Sequence, residues 1–277
     1  MKIGFIGLGN MATAIIGGLM REDTALNSED GNVTVITAAN IIGSAKTEAT
    51  RQKRAEQFGI AVTASNREVA EAADVLVLAV KPQFFPEVIA EIRDAVSENT
   101  LVIAAGLTLE RIAGLFDRNV TAMRLIRCMP NTPALVNAGC TAVVPGPGAT
   151  EADEALCLRL MESFGRAIVI PERLMDAASA TAGSSPAFVF MFIEALADGA
   201  VAAGMPRAQA YEFAAAAVAG SAQLVLETGR HPGDLKDMVC SPGGTTIEGM
   251  KVLEDRDLYG IVSEACDKCI KRAYELG

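Results

Sequence analysis

The chain has 277 residues, and its 24 Lys and Arg against 34 Asp and Glu give a formal net charge of −10 at pH 7. This acidic balance argues against a nucleic acid or an anionic membrane as a partner. Apolar residues make up 51% of the chain, which excludes a disordered protein. The single histidine, His231, excludes zinc sites and other metal sites that need two histidines, so we predict no metal.

Six cysteines are scattered along the chain, and no cationic and apolar leader precedes the first apolar run. This cysteine usage predicts reduced thiols and a cytoplasmic protein. A weakly charged run at residues 187–205 approaches the length of a membrane span, but Glu194 and Asp198 interrupt it on one helix face. We predict a buried helix there.

Short apolar runs alternate with helical stretches over residues 1–171, a pattern typical of βαβ units around a mostly parallel sheet. We predict strands at residues 2–6, 33–37, 75–80, 100–104 and 122–126, with weaker strands at 141–144 and 167–170. Thr150, with Asp153 three positions later, predicts the start of a helix between the two weaker strands.

Strand-like runs end near Pro171, and Ala-rich helical stretches follow. We therefore predict an α/β protein with an N-terminal Rossmann-type dinucleotide-binding domain at residues 1–171 and an all-α dimerisation domain at residues 172–277. Pro206 and Gly229 mark the two ends of the longest helix. Apolar helix faces such as residues 188–193 exceed what the second domain can bury alone, which predicts a homodimer.

A glycine-rich turn follows the first predicted strand. Gly7, Gly9 and Ala12 match the pattern G-x-G-x-x-A between a strand and a helix, which is typical of dinucleotide binding. Gly7 permits a tight turn, and Gly9 lets a pyrophosphate approach the backbone. The amides of Asn10 and Met11 then point at the anion.

The type of cofactor is predicted from the end of the second predicted strand. That strand runs into Ala38, Ala39 and Asn40, so no Asp or Glu accepts the ribose 2′-hydroxyl there, which favours NADP over NAD. Four cations follow, and they either neutralise a 2′-phosphate or form a solvated helix face. They are Lys46, Arg51, Lys53 and Arg54.

A second small-residue loop, residues 241–246, precedes a helix that we place at residues 247–253. Free N–H groups beside hydroxyls form an anion site. Here a small carboxylate would bind Ser241, the amides of Gly243, Gly244 and Thr245, and Thr246. An ordinary glycine turn with a Thr cap on the helix explains the same residues.

Four motifs occur in order along the chain. They are Gly4-Phe-Ile-Gly-Leu-Gly-Asn-Met-Ala12, Asp74-Val-Leu-Val-Leu-Ala-Val-Lys-Pro82, Arg127-Cys-Met-Pro-Asn-Thr-Pro133, and His231-Pro-Gly-Asp-Leu-Lys-Asp237 with Ser241-Pro-Gly-Gly-Thr-Thr246. With these motifs the chain resembles the pyrroline-5-carboxylate reductase family over essentially its whole length. The resemblance implies reduction of the cyclic imine L-1-pyrroline-5-carboxylate to L-proline, the last step of proline biosynthesis. It also implies NADPH or NADH as the hydride donor, and a homodimer that assembles into a larger ring. Together with the missing acidic residue after the second predicted strand, this predicts NADP(H) as the preferred cofactor with NAD(H) as the alternative.

The resemblance implies two sets of contact residues. The cofactor contacts are Leu8, Asn10 and Met11 at the pyrophosphate, Ala38 and Asn40 near the adenine ribose, Asn66, and Val80, Lys81 and Ala105 around the nicotinamide. Thr245 and Thr246 match positions that hold the substrate carboxylate. Lys81 is the one candidate catalytic side chain, and the alternative is that it acts through its backbone.

Two other functions fit parts of the sequence. A broader NADP-dependent imine or β-hydroxyacid reductase shares the order of domains and would use Lys236 as its catalytic lysine. A dinucleotide-binding redox sensor without turnover has no use for the anion loop at residues 241–246. An NADPH oxidation assay with different substrates separates the three functions.

Overall fold

The computed structural model describes residues 1–21, 25–27 and 33–276 of the chain. These residues divide into two compact units. The N-terminal unit comprises Met1–Gly183 with Ala273–Gly277, and the helical unit comprises Ser184–Arg272.

The strands all belong to the N-terminal unit. In chain order they are β1 (Ile3–Ile6), β2 (Ala25–Asn27), β3 (Val33–Val35), β4 (Ile41–Ser44), β5 (Ala61–Thr63), β6 (Val75–Leu78), β7 (Leu101–Ala105), β8 (Leu125–Met129), β9 (Gly139–Pro145) and β10 (Gly165–Val169). Eight of them form one sheet in the order β10-β9-β8-β7-β6-β1-β4-β5, whereas β2 and β3 pair separately. Within the large sheet β8 and β9 pair antiparallel, and the other neighbours pair parallel.

Helices follow the strands of the large sheet and then form the second unit. Those of the first unit are α1 (Asn10–Leu19), α2 (Glu48–Phe58), α3 (Asn66–Ala72), α4 (Phe85–Ile92), α5 (Leu109–Leu115), α6 (Glu151–Glu162) and α7 (Met175–Ala178). After a π-helical segment, Ser179–Ser184, come α8 (Ser185–Ala202), α9 (Arg207–Thr228), α10 (Pro232–Val239), α11 (Thr245–Asp255) and α12 (Leu258–Leu276). The predicted fold class, a Rossmann-type domain followed by an all-α domain, is confirmed.

The central strands bury side chains on both faces of the sheet. Ile3 and Phe5 belong to one buried cluster, and Ile6 of the same strand belongs to the other. The strand β6 alternates in the same way, because Val75 and Val77 join the first cluster and its two leucines the second. Burial on both faces explains why these strands read as nearly continuous apolar runs.

The predicted second strand of the large sheet, residues 33–37, is wrong. Val33–Val35 pairs antiparallel with Ala25–Asn27, and Ile41–Ser44 is the strand that pairs with β1. A β-branched run marked residues 33–36, while Gly43 and Ser44 weakened the pattern of the true strand. Gly43 is needed there because a Cβ would lie 2.6 Å from Cδ2 of Leu8.

The helix predicted to be buried, at residues 187–205, is exposed in the single chain. Within the described part of α8 only Ala197 is buried, whereas Phe190 and Met191 are 62% and 69% exposed. By length and composition alone, the segment Glu172–Ala202 is apolar enough to cross a membrane. This helix therefore presents a large apolar surface that the chain does not cover by itself.

Two cysteine sulfurs meet in the core of the N-terminal unit. The Sγ atoms of Cys128 on β8 and Cys157 on α6 are 3.5 Å apart, and both residues are buried. The hydrogen bond with Cys128 and burial raise the pKa of the Cys157 thiol well above its usual range. The Cys157 thiol is therefore protonated and unreactive at neutral pH.

The predicted start of α6 is confirmed in detail. Thr150 and Asp153 form a reciprocal capping box, and Asp153, which is 1% exposed, also accepts hydrogen bonds of 3.0 and 3.1 Å from Nε of Arg124. Burial by itself would raise the pKa of Asp153, but the hydrogen bonds from Arg124 and Thr150 outweigh it and hold the pKa below its usual value. The ion pair between Arg124 and Asp153 therefore joins the amino end of β8 to the start of α6.

We expect the replacement Asp153→Asn to lower the free energy of unfolding by roughly 3 kcal/mol at pH 7, because it leaves Arg124 without its carboxylate. A carboxylate with a lowered pKa stabilises the folded state above its unfolded pKa, about 3.9, and this contribution is lost as the pH falls through the folded pKa. The difference between wild type and variant should therefore shrink below about pH 4 in urea titrations at fixed protein concentration.

The matched control is Asp117→Asn, which removes the exposed ion pair between Asp117 and Arg93. Its effect at pH 7 should stay below about 1 kcal/mol. If both substitutions lower the free energy of unfolding equally, the buried ion pair does not stabilise the fold more than the exposed one.

Candidate functional site

The glycine turn lies where the strand order of the sheet reverses. Strand β1 is flanked by β4 on one side and by β6 on the other, and in open α/β sheets ligands bind at the carboxyl ends of strands at such a point. The N–H of Gly7 donates to Ser44 O over 3.0 Å, and the N–H of Ala79 donates to Ile6 O over 2.9 Å. The three strand ends are therefore held together around the turn.

Gly7 and Gly9 differ in what surrounds them. Gly7 has a φ of +94°, and a Cβ on it would lie 2.7 Å from Cγ1 of Val80, so this turn requires glycine. A Cβ on Gly9 would meet no atom within 4 Å among the described residues. The space over Gly9 is open, as the approach of a pyrophosphate requires.

Helix α1 begins at Asn10 directly after this open space. Gly9 is its N-cap, and no side chain caps the helix. The first amides of an α-helix have no partner within the helix, so the N–H groups of Asn10 and Met11 are suited to bind an anion. Leu8 is buried, and its carbonyl accepts a hydrogen bond of 3.2 Å from Nε of Arg54.

Ala38 and Asn40 lie at the wrong edge of the sheet for the adenine ribose. They form a short 3₁₀ turn before β4, and Asn40 Nδ2 donates to Met1 O, which precedes β1. This is the amino edge, opposite the glycine turn. The expected ribose contacts of both residues need this correction, since the strand on which they were predicted is not part of the large sheet.

The segment at the carboxyl end of β4 lies where Ala38 and Asn40 were expected, near the adenine ribose. Ser44 ends this strand, and Ala45 and Lys46 follow, so no Asp or Glu occupies this end either. Nη1 of Arg51 donates to the carbonyls of Ala45 and Lys46 over 2.7 and 3.1 Å. The absence of an acidic residue, which favours NADP, therefore applies to the segment after β4. The cations of α2 lie next to this segment.

Asn66 lies at the same edge, at the first position of α3. Its Oδ1 accepts a hydrogen bond of 2.7 Å from Oγ of Ser44, and its Nδ2 donates to Glu91 over 2.6 Å. The structure therefore brings Asn66 next to the end of β4, close to where the adenosine half of a dinucleotide lies in this fold.

Val80 and Lys81 follow the end of β6, and Ala105 is the last residue of β7, so all three lie at the carboxyl edge. Ala105 lines a cavity of about 30 Å³ together with Met11 at the start of α1. Lys81 is exposed, and its Nζ has no hydrogen-bond partner in the part of the chain that the structure describes.

The anion loop of the helical unit differs from the prediction in its helix start. Helix α11 begins at Thr245 with Gly244 as N-cap, so the two threonines are its first residues and do not cap it. The N–H of Gly244 donates to Ser241 O over 3.0 Å, which removes this amide from the expected anion donors. Gly243 has a φ of +67°, and its amide stays in the predicted set with that of Thr245.

Hydroxyl groups complete this loop. In the described residues, the hydroxyls of Ser241, Thr245 and Thr246 have no hydrogen-bond partner, and all three residues are exposed. Nearby, His231 caps α10, because its Nδ1 accepts the N–H of Gly233 over 3.0 Å. The single histidine thus has a structural task in its own helix.

Comparison with known proteins identifies the family. The chain is 49% identical to the pyrroline-5-carboxylate reductase of Escherichia coli over 277 residues, which covers 99% of this chain and 98% of that protein. Residues 172–276 match the family model described as pyrroline-5-carboxylate reductase dimerisation, and residues 2–106 match one described as NADP oxidoreductase, coenzyme F420-dependent. The chain belongs to the pyrroline-5-carboxylate reductase family.

Solved structures of the family have the same fold. The Coxiella burnetii pyrroline-5-carboxylate reductase is 34% identical, with a TM-score of 0.88 over 100% of this chain and 98% of that one. The Plasmodium falciparum enzyme, solved with NADP bound, is 26% identical with a TM-score of 0.81 over the same shares of the two chains. As a member of the family this chain is an NAD(P)-dependent oxidoreductase, and it forms homo-oligomers through its dimerisation domain.

We expect Gly9→Ala to raise the KM for NADPH about tenfold or more, because the added methyl group occupies the space that the pyrophosphate needs. The fold should tolerate this change, since among the described residues no atom beyond the chain neighbours of Gly9 lies within 4 Å of the new Cβ. Steady-state kinetics with varied NADPH measure the effect.

The control is Gly114→Ala in α5, where a Cβ likewise meets no described atom within 4 Å outside the adjacent backbone of its own helix. It should leave the KM for NADPH within about twofold of wild type. If Gly9→Ala behaves like the control, the pyrophosphate does not bind at this turn.

Proposed function

We propose that this chain reduces L-1-pyrroline-5-carboxylate to L-proline, with NADPH as the preferred hydride donor and NADH as the alternative. The observation that carries the proposal is the 49% identity with the Escherichia coli reductase over nearly the full length of both chains. The open turn at Gly9, placed where the strand order reverses, supports the cofactor half of the reaction.

The residues present fit a dinucleotide. Leu8, Asn10 and Met11 would hold the pyrophosphate at the start of α1, and Asn66 with the segment after β4 would hold the adenosine half. Val80, Lys81 and Ala105 would lie around the nicotinamide. When bound, the nicotinamide supplies the hydride, so the chain itself needs no redox group.

The substrate carboxylate is the second ligand that the chain has to hold. The amides at the start of α11, together with the hydroxyls of Ser241, Thr245 and Thr246, are donors without a protein partner in the described residues. A helix start favours negative charge, so a carboxylate is suited to this loop. Fixing the carboxylate decides which face of the ring is presented for reduction.

The chemistry makes few demands on side chains. The carbon of the C=N bond accepts the hydride, and the ring nitrogen carries a proton that it takes from solvent, which gives a secondary amine. His231 is used as a helix cap, and Nζ of Lys81 has no hydrogen-bond partner among the described residues. The protein therefore acts mainly by orienting two ligands.

The domain division, residues 1–171 and 172–277, belongs to the same proposal, and the family model that starts at residue 172 supports it. We further infer a homodimer that assembles into a larger ring, without nucleic acid or membrane as partner, in the cytoplasm. The exposed apolar face of α8 supports the dimer, and the net charge of −10 supports the absence of a polyanionic partner.

The activity is tested by NADPH oxidation with L-1-pyrroline-5-carboxylate, with a β-oxoacid, and with no substrate. We expect turnover with the imine alone. In the same assay Thr246→Ala should raise the KM for the imine by about tenfold or more, because it removes a hydrogen bond to a charged group. The KM for NADPH should stay nearly unchanged.

Thr228→Ala serves as the control, because Thr228 is an exposed threonine of the same unit whose hydroxyl bonds to Leu224 O within α9. It should change neither KM by more than about twofold. An unchanged KM for the imine in the Thr246 variant would remove this residue from the substrate site, and turnover with the oxoacid would point to a hydroxyacid reductase.

The dimer is tested by the double substitution Phe190→Glu and Met191→Glu on α8. Two carboxylates on this face should dissociate the oligomer, since burying an unpaired charge in an interface is costly. Sedimentation velocity should show a monomer with little activity. The control Val136→Glu, at a side chain that is 73% exposed in the N-terminal unit, should leave the oligomer intact. A wild-type chain that sediments as a fully active monomer would refute the dimer.

A further inference from the structure

One buried cation lies in the middle of the apolar strand β8. The side chain of Arg127 is 10% exposed, and its guanidinium has two acceptors. Nη2 donates to Gly106 O over 2.8 Å, and Nη1 donates to Oε1 of Glu172 over 3.1 Å. Burying a guanidinium is costly unless it is paired, so these contacts are needed for Arg127 to occupy this position.

Glu172 makes a second contact with the same segment. Its Oε1 also accepts the N–H of Leu109, the first residue of α5, over 2.9 Å. The ion pair therefore holds residues 106–109 at both ends: Arg127 binds the carbonyl of Gly106, and Glu172 binds the amide of Leu109. Hydrogen bonds with a charged partner are stronger than neutral ones, so this segment is firmly held.

The segment lies directly after Ala105, at the carboxyl edge of the sheet. Gly106 has a φ of +103°, and a Cβ on it would lie 2.4 Å from Cγ of Pro82. The loop that follows β7 therefore packs against the loop that follows β6, which contains Val80 and Lys81. Both loops carry residues of the proposed nicotinamide end of the cofactor site.

A second ion pair near the same strand, between Arg124 and Asp153, makes contacts away from the ligand side of the sheet. Arg124, one residue before β8, binds Asp153 and the carbonyl of Asn99, which precedes β7. These contacts lie at the amino edge of the sheet, whereas Arg127 is three residues further along and contacts the carboxyl edge. The two arginines thus bind backbone at opposite ends of the strands. Of the two, Arg127 is the one that contacts the loop after β7, on the side of the proposed cofactor site.

We propose that Arg127 and Glu172 are positioning residues of the hydride-transfer site: their ion pair fixes the backbone of Ala105 and Gly106 against which the nicotinamide half of the cofactor binds. Neither side chain takes part in proton or hydride transfer. This inference rests on the proposed function for its kinetic consequences, but its effect on cofactor binding stands without turnover.

The test compares two ligands with wild type, Arg127→Met, Arg127→Lys and Glu172→Gln. One ligand is NADPH, and the other is adenosine 2′,5′-bisphosphate, which occupies the adenosine end alone. We expect Arg127→Met to weaken NADPH binding about tenfold and to lower kcat about tenfold or more, while binding of the bisphosphate stays within about twofold of wild type. Arg127→Lys and Glu172→Gln each keep part of the contacts. Their losses of NADPH affinity and of kcat should therefore be smaller than those of Arg127→Met.

Arg124→Met is the matched control. It breaks the buried pair at the other edge, so it should lower the denaturation midpoint but leave kcat and NADPH binding within about twofold of wild type. The proposal is overturned if Arg127→Met binds NADPH as wild type does, if it loses NADPH and the bisphosphate equally, or if Arg124→Met has the same kinetic effect. If Arg127→Met does not fold, the lysine and glutamine variants are judged by the same ratio.

Failure of the proposed function would look different. A wild-type enzyme that does not turn over L-1-pyrroline-5-carboxylate would refute that function. The ratio of NADPH binding to bisphosphate binding would still decide the role of Arg127, since it is measured without substrate.

Discussion

The parallel pairing of β1 with β4 and β6 is the constraint on which the rest of the N-terminal unit depends. Because β1 has parallel neighbours on both sides, three strand ends meet at one point of the same edge. The N–H of Gly7 donates to the end of β4, and the N–H of Ala79 donates to the end of β1. Gly9, the N-cap of α1, has open space above it among the described residues, so the proposed anion site follows directly from the order of the strands.

Much of the fold could be predicted because some residues act locally. The glycine turn, the capping box of Thr150 and the left-handed Gly229 that ends α9 each depend on the conformation of a few neighbouring residues. The second strand could not be predicted in the same way. The β-branched run at residues 33–36 and the shorter strand at Ile41–Ser44 differ in their partners, and pairing with β1 is a long-range property.

The candidate site shows the same division. Gly9, Asn10 and Met11 belong to one local motif, and the structure places them at the expected edge. Ala38 and Asn40 were tied to a strand that the large sheet does not contain, and their expected role failed with it. Sequence reasoning missed the contacts of Arg127, although a cation inside an otherwise apolar strand is a signal that a buried acceptor lies nearby.

The helical unit has few side chains that it can bury alone. Among its described residues the buried apolar ones are Ala197, Ala210, Ala214 and Leu235, while Phe190 and Phe192 of α8 remain exposed. We expect a unit with so small a core to depend on association for part of its stability, which couples its folding to its assembly. If the assembled form is the active one, the activity per molecule depends on the concentration of the enzyme in the cell. When that concentration is near the dissociation constant of the oligomer, a small fall in expression lowers the total activity by a larger fraction than it lowers the amount of protein.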